Sequence, residues 1–370
     1  MQGFGIYRID RDRHCYRPPV PPLPSMDVVW DQYEPAAKAV EAFDRALAAF
    51  PVPQVIGKLF ARLDAVHSSG AEGSTTTFTD LLEFQTSLRR ARDPEDAEAV
   101  AGCAQAFDAL ASAETIDLPA AVLAIHHRLF EHARDPIAVD TAGHWKTMPN
   151  GVFDPDQGGF FYYTSPMDLA DALAEWEAFT LEAGTPELVR QALSHWMFEH
   201  IHPVRDGNGR VGRLLVPLLA RHKGVTRQAC AFIGEAVHHN KSIYIDALKH
   251  GRRTGDMASW SRVFLSFMAQ TARANLQRLE RLDALLAGWQ ERTRTIRTDS
   301  VVHALVPWLL VTPKFTVTDA AAATGRSFVA VNTAVARLRD LGMITQVGAD
   351  GRDRLFAAED IIRLFEHPPP

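Results

Sequence analysis

His202-Pro-Val-Arg-Asp-Gly-Asn-Gly-Arg-Val-Gly-Arg213 sets an imidazole, a carboxylate, a Gly-Asn-Gly turn and two arginines three residues apart within twelve positions. Gly207 and Gly209 leave backbone N–H groups open to close approach by a ligand. The run Val211 to Leu219 reads as helix, so those N–H groups would lie near a helix N-terminus, where anions bind. At about 100° per residue, Arg210 and Arg213 share one face, while Val211, Leu214, Leu215 and Leu218 take another and can be buried. A base, a ligand for a hard cation and a cationic cradle in one short loop suit phosphate chemistry.

Two plainer readings compete. Asp-Gly-Asn-Gly is also a fragment of a calcium loop, but that register puts Val204 and Leu215 where oxygen ligands are needed, so calcium binding fails. A capped helix start with surface arginines accounts for a bare GNG turn. It does not account for His202, Asp206, Arg210 and Arg213 arriving together.

The segment resembles the Fic motif, HPFx(D/E)GNGRxxR, at every position except Val204, which stands where the family has Phe. The resemblance implies an α-helical enzyme, most members of which transfer AMP from ATP to a hydroxyl of a protein. Carried over, it makes His202 the general base and Asp206 the Mg²⁺ ligand. Gly207, Asn208 and Gly209 become the anion hole, and Arg210 and Arg213 the phosphate-holding arginines. Relatives that transfer phosphate have lysine at the second glycine, and Gly209 argues against that activity here; UMP or phosphocholine transfer and AMP removal stay open. The smaller Val204 is expected to loosen the loop without removing chemistry.

Around the motif the composition is that of a soluble globular protein. The chain has 370 residues, 46% of them hydrophobic and 23% charged, with a net charge of −6, which gives no overall electrostatic case for nucleic acid. Cys15, Cys103 and Cys230 are widely spaced, so neither a zinc site nor a disulfide framework is supported. With no signal sequence and no apolar run of about 18 residues, the expected compartment is the cytoplasm, without a membrane partner.

Upstream, the prolines at 18, 19, 21, 22 and 24 forbid regular helix, and residues 1 to 25 read as a semi-rigid arm on the body. Helical patterns follow to residue 63. Residues 67–82, HSSGAEGSTTTFTDLL, read alone as a polar linker. Beside the motif they resemble the family's inhibitory signature, (S/T)xxxE(G/N), as Ser68-Ser69-Gly70-Ala71-Glu72-Gly73. That implies Glu72 paired with Arg213, on the cation meant for the ATP γ-phosphate, with Ser68 opening the signature. His126 and His127 are adjacent on a helix with no third ligand nearby, and read as surface residues.

Residues 141–166 lose periodicity and carry short aromatic runs between turn residues, a hairpin or long loop. This segment resembles the family's flap, with Gly143-His144-Trp145-Lys146 where members have Gly-x-x-Arg. Glu199, just before the catalytic histidine, is expected to orient the loop. Tyr244 matches the first tyrosine of a family pair beside the nucleotide, where it would stack on adenine or serve the core. The charged stretch 271–299 reads as a helical linker.

Residues 300–370 resemble a winged helix-turn-helix, with Gly351 turning its last hairpin. Seven Lys/Arg against seven Asp/Glu over 301–370 make a weak phosphate-binding footprint. The resulting fold class is mostly α: a regulatory region (1–110), a Fic core with a β-hairpin flap (111–270), the linker, and the winged helix. The expected cofactors are ATP and Mg²⁺, and the expected partner is a protein with an exposed hydroxyl. A homodimer and DNA stay open.

Overall fold

The computed structural model describes residues 4–184, 186–347 and 354–367. Two strands come first, β1 (Ile6–Asp10) and β2 (Arg13–Arg17). Six helices follow: α1 (Trp30–Ala49), α2 (Pro53–Ala71), α3 (Phe78–Phe84), α4 (Pro94–Ala111), α5 (Leu118–Phe130) and α6 (Pro136–Thr141). The strands β3 (Gly151–Asp154) and β4 (Gly159–Tyr162) precede α7 (Leu169–Leu181), α8 (Glu187–Ile201), α9 (Asn208–His222), α10 (Gly234–His239), α11 (Lys241–Thr254) and α12 (Met257–Thr293). The C-terminal module is α13 (Val301–Leu309), β5 (Lys314–Thr316), α14 (Val317–Thr324), α15 (Phe328–Asp340), β6 (Thr345–Val347), β7 (Leu355–Ala357) and α16 (Glu359–Glu366). The turn assigned to Gly351 lies outside the described residues.

The centre of the molecule is α8. Every residue from Leu188 to Ile201 is buried, as a helix enclosed on all sides must be. Its neighbours pin it with indole N–H groups: Trp176 donates to the Ser194 carbonyl at 3.1 Å, Trp260 to that of Ala192 at 2.6 Å. The helix ends at His202, in the left-handed conformation with φ 51°. Gly207, also left-handed at φ 74°, starts α9. The loop that opens at His202 is thus the turn between two core helices.

The N-terminal arm departs from expectation. Residues 6–17 form an antiparallel hairpin whose second strand joins β4 in parallel at Cys15 and Tyr162, giving a sheet in the order β1-β2-β4-β3. Its turn puts Arg11 and Asp12 at φ 51° and 62°, a conformation usually signalled by Asn-Gly. With arginine there, the signal is hidden. Pro18 and Pro21 are buried on the body.

The stretch expected as a linker is also different. Up to Thr293 it belongs to one 37-residue helix, α12, whose apolar face buries Leu279, Leu282, Leu286 and Trp289. Arg278 makes a two-bond ion pair with Glu235 of α10, at 2.5 and 2.7 Å. The charges are the solvated face of a packed helix, because apolar residues recur at three- and four-residue spacing behind them.

The C-terminal module has a three-stranded sheet in the order β5-β7-β6 with helices around it. It docks on the N-terminal region. The Phe365 ring lies 5.2 Å from Phe60 of α2 and 5.3 Å from Phe78 of α3. Lys314 bonds Glu83 at 2.6 Å, and Glu366 accepts the Thr79 N–H at 3.2 Å.

Candidate functional site

His202 sits where α8 turns. Its Nδ1–H donates to the Glu199 carbonyl at 3.0 Å, which leaves Nε2 as the open nitrogen. The ring lies flat on Tyr163, 3.9 Å between centroids with 7° between planes. Burial, with Lys146 nearby, pushes its pKa down to about 3 against the opposing Glu199 carbonyl and Glu72. The imidazole is neutral at physiological pH, as a proton acceptor must be. The Glu199 backbone carbonyl thus holds the His202 ring, while its carboxyl, on which the expectation rested, is buried, and burial raises its pKa to about 8.

Asp206 is exposed, and one of its oxygens accepts the Gly207 N–H at 2.6 Å. That N–H is therefore taken. The N–H groups of Asn208, Gly209 and Arg210, which open α9, have no intrahelical acceptor and are the ones free to meet an anion. The Asn208 side chain turns inward, bonding the Val204 N–H at 3.0 Å and the Val204 carbonyl at 2.8 Å. It therefore shapes the loop, and only its backbone faces a ligand. Val204 is fully buried, and these bonds hold its backbone whatever the size of its side chain.

Arg213 is 1% exposed. Its Nε donates to Ser68 Oγ at 2.8 Å, and Nη2 donates to the Ser68 carbonyl at 2.8 Å and to Glu72 Oε1 at 2.6 Å. Both groups come from the C-terminal end of α2. Burial alone would raise the Glu72 carboxyl, but Arg213 holds it below its ordinary pKa. Gly209 is small for this reason: a Cβ there would stand 2.4 Å from Glu72 Oε1 and 2.8 Å from Arg213 Nη1. Gly70 has a similar cause, since a Cβ would meet the His238 ring of α10 at 2.6 Å.

Arg210 lies over the Phe130 ring at 5.3 Å, and its buried Nε has no hydrogen-bond partner among the described residues. It lines a polar cavity of about 430 Å³ together with Ser69, Glu72, Ser74 and Arg128. A guanidinium bordering such a space can pair with an anion that enters it.

Of the two readings of Tyr244, stacking on adenine or serving the core, burial favours the core: it is 3% exposed with its hydroxyl 2.7 Å from His195 Nε2. His126 falls elsewhere than expected: it is 1% exposed and accepts the Gly143 N–H at 3.0 Å. Gly143 lies in the segment 141–166, and this contact across the fold is one that the adjacency of His126 and His127 does not reveal.

Three further residues touch the loop without having been singled out for it: Lys146, Asn150 and Tyr163. Asn150 donates to the His202 and Val204 carbonyls at 3.2 and 2.8 Å, and Lys146 Nζ to that of Ile201 at 3.0 Å. The one signal available was the departure of Lys146 from Gly-x-x-Arg.

No group of three or more His, Cys, Asp or Glu among the described residues is arranged to hold a metal ion. Asp206, exposed beside the open end of α9 with one carboxylate oxygen uncommitted to Gly207, fits Mg²⁺ carried in by phosphates, which commonly takes one or two protein carboxylates. No helix among the described residues is long and apolar enough to cross a membrane.

Residues 116–220 match the Fic/DOC family, and residues 30–109 match its N-terminal domain. Among solved structures, the chain is similar to a Fic family protein from Desulfovibrio desulfuricans, with 17% identity, a TM-score of 0.55, and coverage of 91% of this chain and 98% of that one. A Fic domain containing signaling protein from Bacteroides thetaiotaomicron matches at 17% identity and a TM-score of 0.50, over 68% of this chain and 95% of its own. Fic-1 from C. elegans matches at 19% identity and a TM-score of 0.51, over 69% and 74%. At these identities the likeness is one of fold.

Proposed function

As a Fic/DOC family protein carrying the family's N-terminal domain, a family that generally transfers nucleotidyl groups to proteins, the chain is one for which we propose AMP transfer from ATP to a Ser, Thr or Tyr hydroxyl, restrained by Glu72. The observation that carries this reading is the arrangement at the start of α9. A neutral imidazole with Nε2 open stands beside unpaired N–H groups and an arginine already engaged by a carboxylate.

In this reading, His202 Nε2 takes the proton of the attacking hydroxyl as its oxygen bonds the α-phosphorus and pyrophosphate leaves. The N–H groups opening α9 and the Arg210 and Arg213 guanidinium groups balance charge that grows on the phosphates. Asp206 would hold Mg²⁺, which supplies further charge neutralisation when bound. Glu72 occupies the arginine that the γ-phosphate needs, so ATP bound to the resting chain lies with its α-phosphate out of line.

The test is intact-mass analysis of the full chain and its Glu72→Gly form with Mg²⁺ and each of ATP, UTP and GTP. The expected result is addition of AMP, greater in the variant. Addition of UMP or GMP instead would reassign the nucleotide. No addition by either protein, with DNA bound by the C-terminal module in a shift assay, would replace the enzyme reading with that of a nucleotide-sensing regulator.

A further inference from the structure

We propose that the base of the β3–β4 hairpin is the seat of the reacting histidine, with Asn150, Lys146 and Tyr163 acting as positioning residues for His202. The proposal rests on reading His202 as the base, and its grounds are geometric.

The end of α8 poses two problems. The last carbonyls of a helix have no intrahelical donor, and His202 is a non-glycine residue held in left-handed backbone, a strained conformation for it. The hairpin base answers both. Four successive carbonyls accept hydrogen bonds from residues 146–150: Ile201 from Lys146 Nζ (3.0 Å), His202 from Asn150 Nδ2 (3.2 Å), Pro203 from the Lys146 N–H (3.0 Å) and Val204 from Asn150 Nδ2 (2.8 Å). Asn150 Oδ1 in turn accepts from Lys146 Nζ at 2.8 Å, so the two side chains fix each other. The backbone is pinned carbonyl by carbonyl.

The ring is fixed from the same place. Tyr163 follows β4, and its N–H donates to the Asn150 carbonyl at 3.0 Å, closing the hairpin base. Its ring covers one face of the imidazole, while Nδ1 is tied to the Glu199 carbonyl. One face, one nitrogen and the backbone are thus committed, and Nε2 is left on the free edge. None of these three residues reaches the anion site itself. Their effect is on where Nε2 points, and misplacing a reacting group by about 1 Å costs on the order of 10²-fold in rate.

The experiment compares substitutions in the full-length Glu72→Gly protein. Asn150→Asp keeps the acceptor for Lys146 but replaces two donated bonds with carboxylate–carbonyl repulsion. Tyr163→Leu removes the stacked ring, and Tyr163→Phe keeps it. Asn150→Asp and Tyr163→Leu are expected to lower kcat for AMP transfer by about 10- to 100-fold with KM for ATP little changed, and Tyr163→Phe to stay near the parent. A second readout needs no transfer: carbethoxylation of His202 by diethyl pyrocarbonate, followed by peptide mass. It should speed up several-fold in Asn150→Asp and Tyr163→Leu and not in Tyr163→Phe. Parent-like kcat in those two variants, or unchanged modification rates, overturns the proposal. If the parent transfers no AMP, the adenylyl-transfer reading fails, and the modification rates alone decide the seating of His202.

Discussion

Two segments reach the same catalytic loop from opposite sides. The end of α2 brings Ser68 and Glu72 to Arg213, and the hairpin base brings Lys146, Asn150 and Tyr163 to His202. Both use short polar contacts, yet they differ in what they hold. In the proposed reading, the hairpin bonds backbone carbonyls that the ligand would not use, so its grip is compatible with a full site. The α2 end bonds a guanidinium that a phosphate would need, so on that reading its grip and a productive ligand exclude each other. Loosening the first should only cost activity, and loosening the second should release it.

The largest expected effect tests the loop on which both act. His202→Ala should lower AMP transfer by about 10²- to 10⁴-fold, the range for loss of a general base, with ATP binding kept. Near-normal transfer would remove His202 from the chemistry, and with it the point of comparing the two grips. Breaking the α2 side comes next. Glu72→Gly should raise transfer by about tenfold or more, the scale of one charge-assisted bond in a partly exposed setting. Equal autoadenylylation rates at saturating ATP would mean that α2 holds Arg213 without restraining it.

The difference in legibility between the two grips has a physical cause. Every group of the loop lies within one twelve-residue run, and Glu72 is announced by a short signature with a fixed spacing. Asn150 bonds carbonyls more than fifty positions away, and an Asn between Pro149 and Gly151 reads only as a turn. Long-range bonds to backbone leave no mark on the partner's side chain. Tyr244 was ambiguous between base-stacking and core, because a tyrosine in an amphipathic helix fits either until its burial is known. The charge on α12 drew attention from its opposite face, where Trp289 and Leu282 are fully buried. What the C-terminal module rests on is likewise absent from any local pattern.

That module gives a smaller, indirect way to sharpen the comparison. Phe365 packs on Phe60, a residue of the helix that ends at Glu72. Phe365→Ala should loosen the docking of α16 on α2 and α3 and raise transfer a few-fold in the Glu72 protein. It should have no effect beyond Glu72→Gly when the two are combined, because the brake is already gone. Additive gains in the double variant would show that the module acts on the site by another route. Ending the chain near residue 297 should lower the thermal midpoint of what remains, since it uncovers Phe60, Phe78 and the far apolar face of α12.

The smallest expected effect concerns what holds α2 itself. Asp64 is 3% exposed on α2, and its Oδ1 accepts the N–H of Gly234 at the start of α10 at 2.7 Å. Burial lifts its carboxyl to about 7, with Glu235 adding to the rise and the Gly234 N–H and Arg213 opposing it. An unfolded aspartate titrates near about 4, so between these values the folded chain holds a proton that the unfolded chain has lost. The folded state binds more protons, and its stability must fall as pH rises across that window. The contribution is full below about pH 4 and gone above about 7. Asp64→Asn keeps the acceptor for Gly234 and cannot ionise. Its thermal midpoint should therefore match wild type at pH 5 more closely than at pH 8, with the variant the more stable at the higher pH. Glu199, raised to about 8 by the same burial, leaves a residual slope in both proteins. Parallel midpoint curves from pH 5 to 8 would assign the slope to other groups, Glu199 and the buried histidines among them, and show that Asp64 contributes none of it.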